Sequence, residues 1–234
     1  MFVITGHRGA MAHAPENTMR SFALAVDAGT DELELDVHLS RDGELVVVHD
    51  ETLDRTTDGT GPVSDHDWAA IATLDAGAGE RVPRLAQVLD AFPGTAFQIE
   101  VKVAAATAAV LDVVRERTGR PGALVITSAH VDALGPALVT ERGWRVGLIC
   151  GRHAAAAVAQ GAALGVDRLY LHWDVADQAA AAGFAAAGGP VYVWPCNDAA
   201  SVRRAVESGY AGTTSDDPAL ALAVRDSLAR QNAR

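Results

Sequence analysis

The sequence has few aromatic residues, few cysteines and no excess of basic charge. Aromatic residues make up 5% of its 234 residues, and its two cysteines are Cys150 and Cys196. Two cysteines cannot build a disulfide framework, so we interpret both as small, reduced, buried side chains. Lysine and arginine total 19 against 30 acidic residues, which gives a net charge of −11. This balance disfavours nucleic acid as a partner and disfavours a general attraction to anionic membranes.

The sequence also has no recognisable leader and no membrane-spanning run. Residues 1–10 contain no basic segment followed by a long apolar segment, which a signal peptide would require. No apolar run reaches the roughly 20 residues that span a bilayer. We therefore expect a cytoplasmic protein without stable membrane association, and the sequence predicts no particular oligomeric state.

What the chain does contain is an alternation of short apolar runs and helical stretches. Parallel strands need a crossover helix between them, so the alternation predicts a parallel sheet. The number of runs favours a closed TIM-type (β/α)₈ barrel over the alternative, an open doubly wound sheet. The eight runs are residues 2–5, 32–37, 96–101, 123–128, 145–150, 168–173, 190–195 and 211–216.

One further strand, at residues 44–50, does not fit the alternation. It follows the second run after an Asp-Gly pair at 42–43, which is a hairpin signal, so it should run antiparallel to that run. A two-residue turn would place Asp36 opposite His49, and a one-residue bulge would still keep the two close.

We expect a single domain over residues 1–224 with one inserted subdomain. Residues 51–83 are rich in turn formers and contain one short helical stretch, which is typical of an insertion above a barrel. Residues 225–234 are polar, and we expect them to form a frayed tail.

Acidic side chains alternate with apolar ones on the second and third runs. Glu34 and Asp36 share one strand face, and Glu100 occupies the same kind of face on the next strand. In a parallel barrel this face points inward, and catalytic groups lie at the carboxyl ends of the strands. Because adjacent buried carboxylates repel, they need a cation or a proton between them. Oxygen ligands suit a hard divalent cation, so the sequence predicts one Mg²⁺ or Ca²⁺ here.

Histidines and basic side chains stand at the ends of the same strands. His7 and Arg8 follow the first run, His49 ends the hairpin strand, and Lys102 shares the strand face of Glu100. An arginine beside a divalent cation can hold a phosphate oxygen, and a lysine can neutralise an anion there.

Each of these features has a structural explanation when taken alone. Alternating acids are common on a solvated strand face, and a lysine in a strand can protect a sheet edge. Trp194 fits the core as well as a pocket wall, and His38, with no evident partner, is expected to be exposed. Taken together, however, the charges would form a buried cluster without partners, which favours a functional site.

Six blocks of sequence, in order between residues 6 and 218, resemble the glycerophosphodiester phosphodiesterases. The blocks are HRGAMAHAPENT, ELELDVHLSRDGELVVVHDETLDRTTDGTG, VPRLAQVL, IEVK, VYVWPCND and GTTSDDP. The resemblance implies a TIM-type barrel with a small inserted subdomain and a divalent metal. It also implies hydrolysis of glycerophosphodiesters to an alcohol and glycerol 3-phosphate.

The resemblance carries the family's site residues onto eight positions of this chain. They are Glu34, Asp36 and Glu100 as metal ligands, His7 and His49 as catalytic histidines, Arg8 and Lys102 as phosphate-binding groups, and Trp194 as a substrate wall. The sequence departs from the family pattern at Ala129, where a larger side chain is usual, and this change could widen the alcohol side of the pocket.

The expected function is metal-dependent hydrolysis of a small-molecule glycerophosphodiester by histidine acid–base catalysis. One alternative is phospholipase-type head-group cleavage, which the scarcity of aromatic residues in the insertion beyond Trp68 disfavours. A second is a lyase or aldolase that uses Lys102 as a Schiff-base amine. A third is a non-catalytic barrel that binds phosphate ligands, against which the two histidines argue. The sequence leaves open which histidine is the acid, and whether the nucleophile is water or the substrate's glycerol 2-hydroxyl.

Overall fold

Nine strands form one sheet in the computed structural model, which describes residues 1–117, 124–139, 143–186 and 189–232. Within these ranges the strands are β1 (Val3–Gly6), β2 (Glu32–Leu39), β3 (Leu45–Val47), β4 (Ala96–Val101), β5 (Leu124–Ser128), β6 (Arg145–Cys150), β7 (Arg168–His172), β8 (Val191–Trp194) and β9 (Gly212–Ser215).

The sheet closes into a barrel because β1 pairs in parallel with both β2 and β9. The order around the barrel is β1, β9, β8, β7, β6, β5, β4 and β2, and β3 is antiparallel to β2 at the rim. The predicted TIM-type barrel is confirmed, and the doubly wound alternative is wrong. Each of the eight predicted runs overlaps a barrel strand, although β1 and β2 extend one and two residues beyond their runs and residue 123 lies outside the described residues.

Helices connect the strands around the outside. Those of the described residues are α1 (Met19–Ala28), α2 (Trp68–Ile71), α3 (Leu85–Ala91), α4 (Thr107–Arg117), α5 (Val131–Val139), α6 (Ala154–Leu164), α7 (Gln178–Ala186), α8 (Ala199–Glu207) and α9 (Pro218–Asn232). The first begins where the Thr18 side chain accepts the Ser21 N–H, and ends where Gly29 adopts a left-handed φ of 86°. None of the helices described has the length and apolarity needed to cross a bilayer.

The two faces of the barrel strands bury different sets of side chains. The outer face of β2 packs Leu33, Leu35 and Val37 into the main core beneath the helices. Inside the barrel, the rings of Tyr170 and Tyr192 stack with centroids 5.0 Å apart. This packing fills the middle of the barrel and leaves the carboxyl end of the strands as its open mouth.

A buried ion pair occupies the opposite, amino-terminal end of the barrel. Arg168 donates from one nitrogen to both carboxylate oxygens of Glu32, at 2.8 and 3.0 Å. The same nitrogen donates to the Tyr170 hydroxyl at 3.2 Å, and the guanidinium lies over the ring of Tyr192, 4.8 Å from its centroid. Both charges are removed from water, so each needs the other as its counter-charge.

We expect Arg168→Met to lower the free energy of unfolding by about 3 kcal/mol, because it leaves Glu32 buried without its cation. Chemical denaturation measures this loss. Adding Glu32→Leu to that variant should recover most of the stability, since an apolar pair carries no uncompensated charge. Equal losses in the single and double variants would contradict this interpretation of the pair.

The hairpin after β2 differs by one residue from the predicted register. Asp36 lies opposite Val48, whose N–H donates to the Asp36 carbonyl oxygen at 3.1 Å. The shift arises because the turn has three residues, 41–43, the last being Gly43 with a left-handed φ of 88°. His49 therefore does not face Asp36 across the ladder, but it remains at the mouth of the barrel.

The inserted segment and the carboxyl terminus complete the fold. Residues 51–83 contain α2 and a 3₁₀ turn, and they pack Leu53 and Ile71 into a small cluster with Val46 and Val48 of the hairpin, separate from the main core. The frayed tail predicted from residue 225 is wrong for residues 225–232, because α9 continues through them. In that helix Leu228 is buried, and Arg225 pairs with Asp31 at 2.6 Å.

Candidate active site

A pocket of about 280 Å³ opens at the carboxyl end of the barrel strands. Seven of the eight predicted site residues line it, and the eighth, Asp36, is buried beside them with 1% of its surface exposed. The pocket residues are His7, Arg8, Glu34, His49, Gln98, Glu100, Lys102, Ala129, Ile149, Gly151, Trp194 and Thr214.

The three predicted carboxylates meet on one side of this pocket. The parallel register of β2 and β4 sets Asp36 beside Glu100, and Glu34 is two residues below Asp36 on the same strand face. Each residue offers a carboxylate oxygen within 4.8 Å of the other two. Three carboxylate oxygens at this spacing are a donor set that fits a hard divalent cation.

Glu34 and Asp36 have pKa values shifted in opposite directions. Burial, and then the neighbouring charge of Asp36, raise the pKa of Glu34 to about 8. Burial opposes ionisation of Asp36 as well, but Lys102 and Arg8 outweigh it and hold its pKa well below the usual range. In the absence of a cation, Glu34 therefore keeps its proton at neutral pH, which is the behaviour expected of crowded buried acids.

Two basic side chains bracket the carboxylates. The Lys102 ammonium lies 2.9 Å from Asp36 and 2.7 Å from Glu100. The guanidinium of Arg8 lies 3.1 Å from Asp36, and the backbone N–H of Arg8 donates to Glu34 at 2.9 Å. Arg8 has a left-handed φ of 49°, which costs a non-glycine residue about 1–3 kcal/mol and is typical of functional sites.

Each predicted catalytic histidine is held by a carboxylate. Nδ1 of His7 lies 2.6 Å from Asp216, and Nδ1 of His49 lies 2.6 Å from Asp50. Asp216 is fixed in turn by Asn197, which donates to its carboxylate at 2.6 Å and accepts its N–H at 2.9 Å. With Nδ1–H donated to the carboxylate, Nε2 of each ring is the nitrogen left to exchange a proton with a ligand.

Burial lowers the pKa of His7, but the hydrogen bond to Asp216 and the charge of Glu34 outweigh that effect, so the pKa is raised overall. The shift follows from the carboxylates that face the ring. His7 is therefore positioned to carry a proton.

The other half of the pocket is largely apolar. Trp194, which the sequence assigned equally to core or pocket, lines the pocket and packs edge-on against His172 with centroids 4.8 Å apart. Ala129, Ile149 and Gly151 continue this surface from β5 and β6. The pocket thus combines a charged half and an apolar half.

Sequence reasoning missed several residues that support the site. Asp50 and Asp216 were not assigned, although Asp50 directly follows His49 in the sequence. Asn17, which is 3% exposed, donates to Asp36 at 2.9 Å. The expected exposure of His38 is wrong, because it is buried with Nε2 3.1 Å from the carbonyl oxygen of His49.

The family model described as "Glycerophosphoryl diester phosphodiesterase family" matches residues 7–220. The glycerophosphodiester phosphodiesterase of Caldanaerobacter subterraneus subsp. tengcongensis is 43% identical over 108 residues, covering 43% of this chain and 44% of that protein. The protein of the same name from Bacillus subtilis is 43% identical over 112 residues, covering 41% of this chain and 38% of that protein. The matched segments span less than half the length of these curated relatives.

Several solved structures match almost the whole chain. An Oleispira antarctica phosphodiesterase, in complex with the product sn-glycerol-3-phosphate, has a TM-score of 0.91 and 27% identity over 96% of both chains. A glycerophosphodiester phosphodiesterase from Agrobacterium tumefaciens has a TM-score of 0.81 and 32% identity, covering 95% of this chain and 100% of that one.

Proposed function

The chain belongs to the glycerophosphoryl diester phosphodiesterase family, and from this premise we propose that it hydrolyses small-molecule glycerophosphodiesters to an alcohol and glycerol 3-phosphate. The observation that carries the proposal is the meeting, in one pocket, of a carboxylate triad, two basic groups and two carboxylate-bound histidines. The product seen in the Oleispira relative supports the same substrate class.

The proposed cofactor is one divalent cation, Mg²⁺ or Ca²⁺, held by Glu34, Asp36 and Glu100. When bound, such a cation supplies positive charge to a non-bridging phosphate oxygen. The local charge supports this assignment. Without a cation, Glu34 is protonated, and the two remaining carboxylates with the bases Arg8 and Lys102 sum to zero. With a divalent cation and all three carboxylates ionised, the sum is +1. A positive site can attract a phosphodiester anion in a protein whose net charge is −11.

The basic residues are proposed to hold the phosphate. Arg8 can donate to a phosphate oxygen from the edge of its guanidinium, and Lys102 can neutralise the charge that develops in the transition state. Both are already fixed by carboxylates, so their side chains lose little freedom on binding substrate.

The two histidines are proposed to move the protons. Nε2 of one ring accepts a proton from the attacking hydroxyl, and Nε2 of the other donates a proton to the leaving alkoxide. Asp216 and Asp50 hold the rings in the tautomer that this exchange requires and stabilise each ring when it is charged. The same division of labour serves direct attack by water. It also serves attack by the glycerol 2-hydroxyl, after which water opens the resulting cyclic phosphate to glycerol 3-phosphate with the two histidine roles exchanged.

The proposal is tested by release of glycerol 3-phosphate from a panel of glycerophosphodiesters with Mg²⁺, with Ca²⁺ and with EDTA. We expect turnover with at least one ion, loss of turnover in EDTA, and recovery when the ion is added back in excess. Folded protein that releases no product with either ion would overturn the proposed function. Turnover that persists unchanged in EDTA would overturn the metal assignment alone.

A further inference from the structure

Arg55, in the inserted segment, holds two carboxylates with one guanidinium. Its Nε and Nη2 donate to the two oxygens of Asp50 at 2.6 and 2.9 Å. Its Nη1 and Nη2 donate to the two oxygens of Glu16, both at 2.8 Å. Because a guanidinium presents its donors in a rigid plane, these four bonds fix both carboxylates relative to each other.

Each of these carboxylates has a second partner that lines the pocket. The Asp50 oxygen at 2.6 Å from Nδ1 of His49 is one that Arg55 also binds. The Glu16 oxygen that accepts from Arg8 at 2.8 Å is likewise shared with Arg55. A continuous chain of hydrogen bonds therefore runs from His49 to Arg8. Arg55 is at the centre of this chain and does not line the pocket.

His49 depends on this support more than His7 does. The side chain of His49 is 35% exposed and that of His7 is 15% exposed, so packing restrains the His49 ring less. Asp216 is fixed for His7 by a neutral asparagine, whereas the side-chain donors to Asp50 come from Arg55 and His49 among the described residues. Without Arg55, the Asp50 carboxylate would be free to turn toward water and to release the His49 ring.

We propose that Arg55 is a positioning residue, which holds His49 through Asp50 and steadies Arg8 through Glu16. This role rests on the proposed function of the pocket. The insertion that carries Arg55 thereby contributes to proton transfer without touching substrate. Its side chain is 48% exposed, and exposed ion pairs add little to global stability. The proposal therefore predicts a large effect on turnover and a small effect on folding.

The chain offers a matched control in Arg41. This arginine donates from Nε and Nη2 to both oxygens of Asp67, at 2.9 and 2.6 Å, and its side chain is 60% exposed. It repeats the geometry of the Arg55–Asp50 pair, but neither partner lines the pocket. A change that follows only from the loss of an exposed ion pair would appear equally in Arg41→Ala.

The test compares Arg55→Ala, Arg55→Lys and Arg41→Ala in hydrolysis of a glycerophosphodiester at saturating divalent cation. We expect Arg55→Ala to lower kcat about 10–100-fold, the cost of a misplaced catalytic group, with the melting temperature nearly unchanged. The change in KM should be smaller than the change in kcat, because Asp36 still holds Arg8. Arg55→Lys should recover part of the loss, because an ammonium can bind Asp50 but cannot bridge both carboxylates bidentately. Arg41→Ala should keep the kcat of the wild type. Equal kcat values for Arg55→Ala and Arg41→Ala would overturn the proposal.

A double-mutant cycle tests whether Arg55 acts on His49 through Asp50. If Arg55 acts through Asp50, adding Arg55→Ala to Asp50→Asn should cost much less in kcat than it does in the wild type. Independent effects that multiply in the double variant would overturn the assignment of Asp50 as the link.

A spectroscopic readout separates this proposal from the proposed function. Long-range ¹H–¹⁵N correlation spectra report the tautomer of the neutral His49 ring, with its signals assigned by comparison with His49→Gln. We expect the Nδ1–H tautomer in the wild type and a mixture of tautomers in Arg55→Ala. An unchanged tautomer would overturn the positioning role, whether or not the wild type turns over any diester. A changed tautomer in a protein without turnover would support the role and reject the function.

Discussion

Replacing His49 or His7 by alanine should lower kcat for glycerophosphodiester hydrolysis about 10²–10⁴-fold, the range that a positioned acid or base contributes. Each ring offers Nε2 to the pocket while Nδ1 is bound to a carboxylate, so alanine removes the proton carrier and leaves the charged residues in place. Steady-state kinetics at saturating divalent cation measure the loss, and thermal unfolding checks that each variant is folded.

His66→Ala is the matched control for these variants. His66 is a partly exposed histidine of the insertion with Nε2 3.0 Å from the Thr60 carbonyl oxygen, and it does not line the pocket. Its loss should leave kcat near that of the wild type. Retention of half or more of the activity in both His7→Ala and His49→Ala would contradict the assigned chemistry.

The same variants can assign the acid and the base. A p-nitrophenolate leaving group needs no proton, so loss of the general acid should cost much less with a p-nitrophenyl phosphodiester than with an alkyl one. The general acid is the histidine whose alanine variant regains kcat when the substrate is the p-nitrophenyl phosphodiester. The other should remain impaired on both substrates.

Local patterns were sufficient to predict the barrel and the carboxylate triad. Successive side chains of a strand alternate between its faces, so Glu34 and Asp36 had to share a face once the second run was a strand. Closing the parallel barrel then brings Glu100 beside them, because adjacent strands end at the same rim. Both inferences depend on backbone geometry, which varies little between proteins.

The supports of the histidines could not be predicted in this way. Asp216 is 209 residues from His7, and nothing in the local sequence links the two. The contacts of Arg55 with Glu16 are made by long side chains that reach between two loops. Such contacts depend on the folded path of the loops, which periodicity does not describe.

The errors in register and at the terminus have a similar origin. An Asp-Gly pair fits both two-residue and three-residue hairpin turns, and one added residue shifts every pair in the ladder. In α9, polar composition suggested a frayed tail. The outer helices of a barrel need to bury only one stripe, and in this segment Leu228 is buried while Arg225 is paired with Asp31.

The cation-free protein should lose stability as pH rises from 4.5 to about 8. Glu34 has a pKa of about 8 in the folded state, raised from 4.5 by burial and by Asp36. The folded state therefore binds this proton more tightly than the unfolded chain does. The stability that this proton contributes is fully present below pH 4.5 and is lost as pH approaches 8. The free energy of unfolding changes by up to about 5 kcal/mol over this range. The raised pKa values of Glu100 and His7 act in the same direction, whereas Asp36 titrates below this window.

Chemical denaturation at several pH values, with EDTA and with Mg²⁺ or Ca²⁺, measures this pH dependence. The same experiment tests whether the carboxylate site binds the cation. A divalent cation competes with the proton for Glu34, so the stability it adds should grow across the same pH window. Glu34→Gln is the control, since its amide has no proton to lose. Without a cation this variant should be flatter with pH than the wild type, and it should gain less from added cation. If the wild type and Glu34→Gln showed the same pH slope in EDTA, Glu34 would not be the source of the linkage. If cation stabilised both equally, the ion would bind elsewhere.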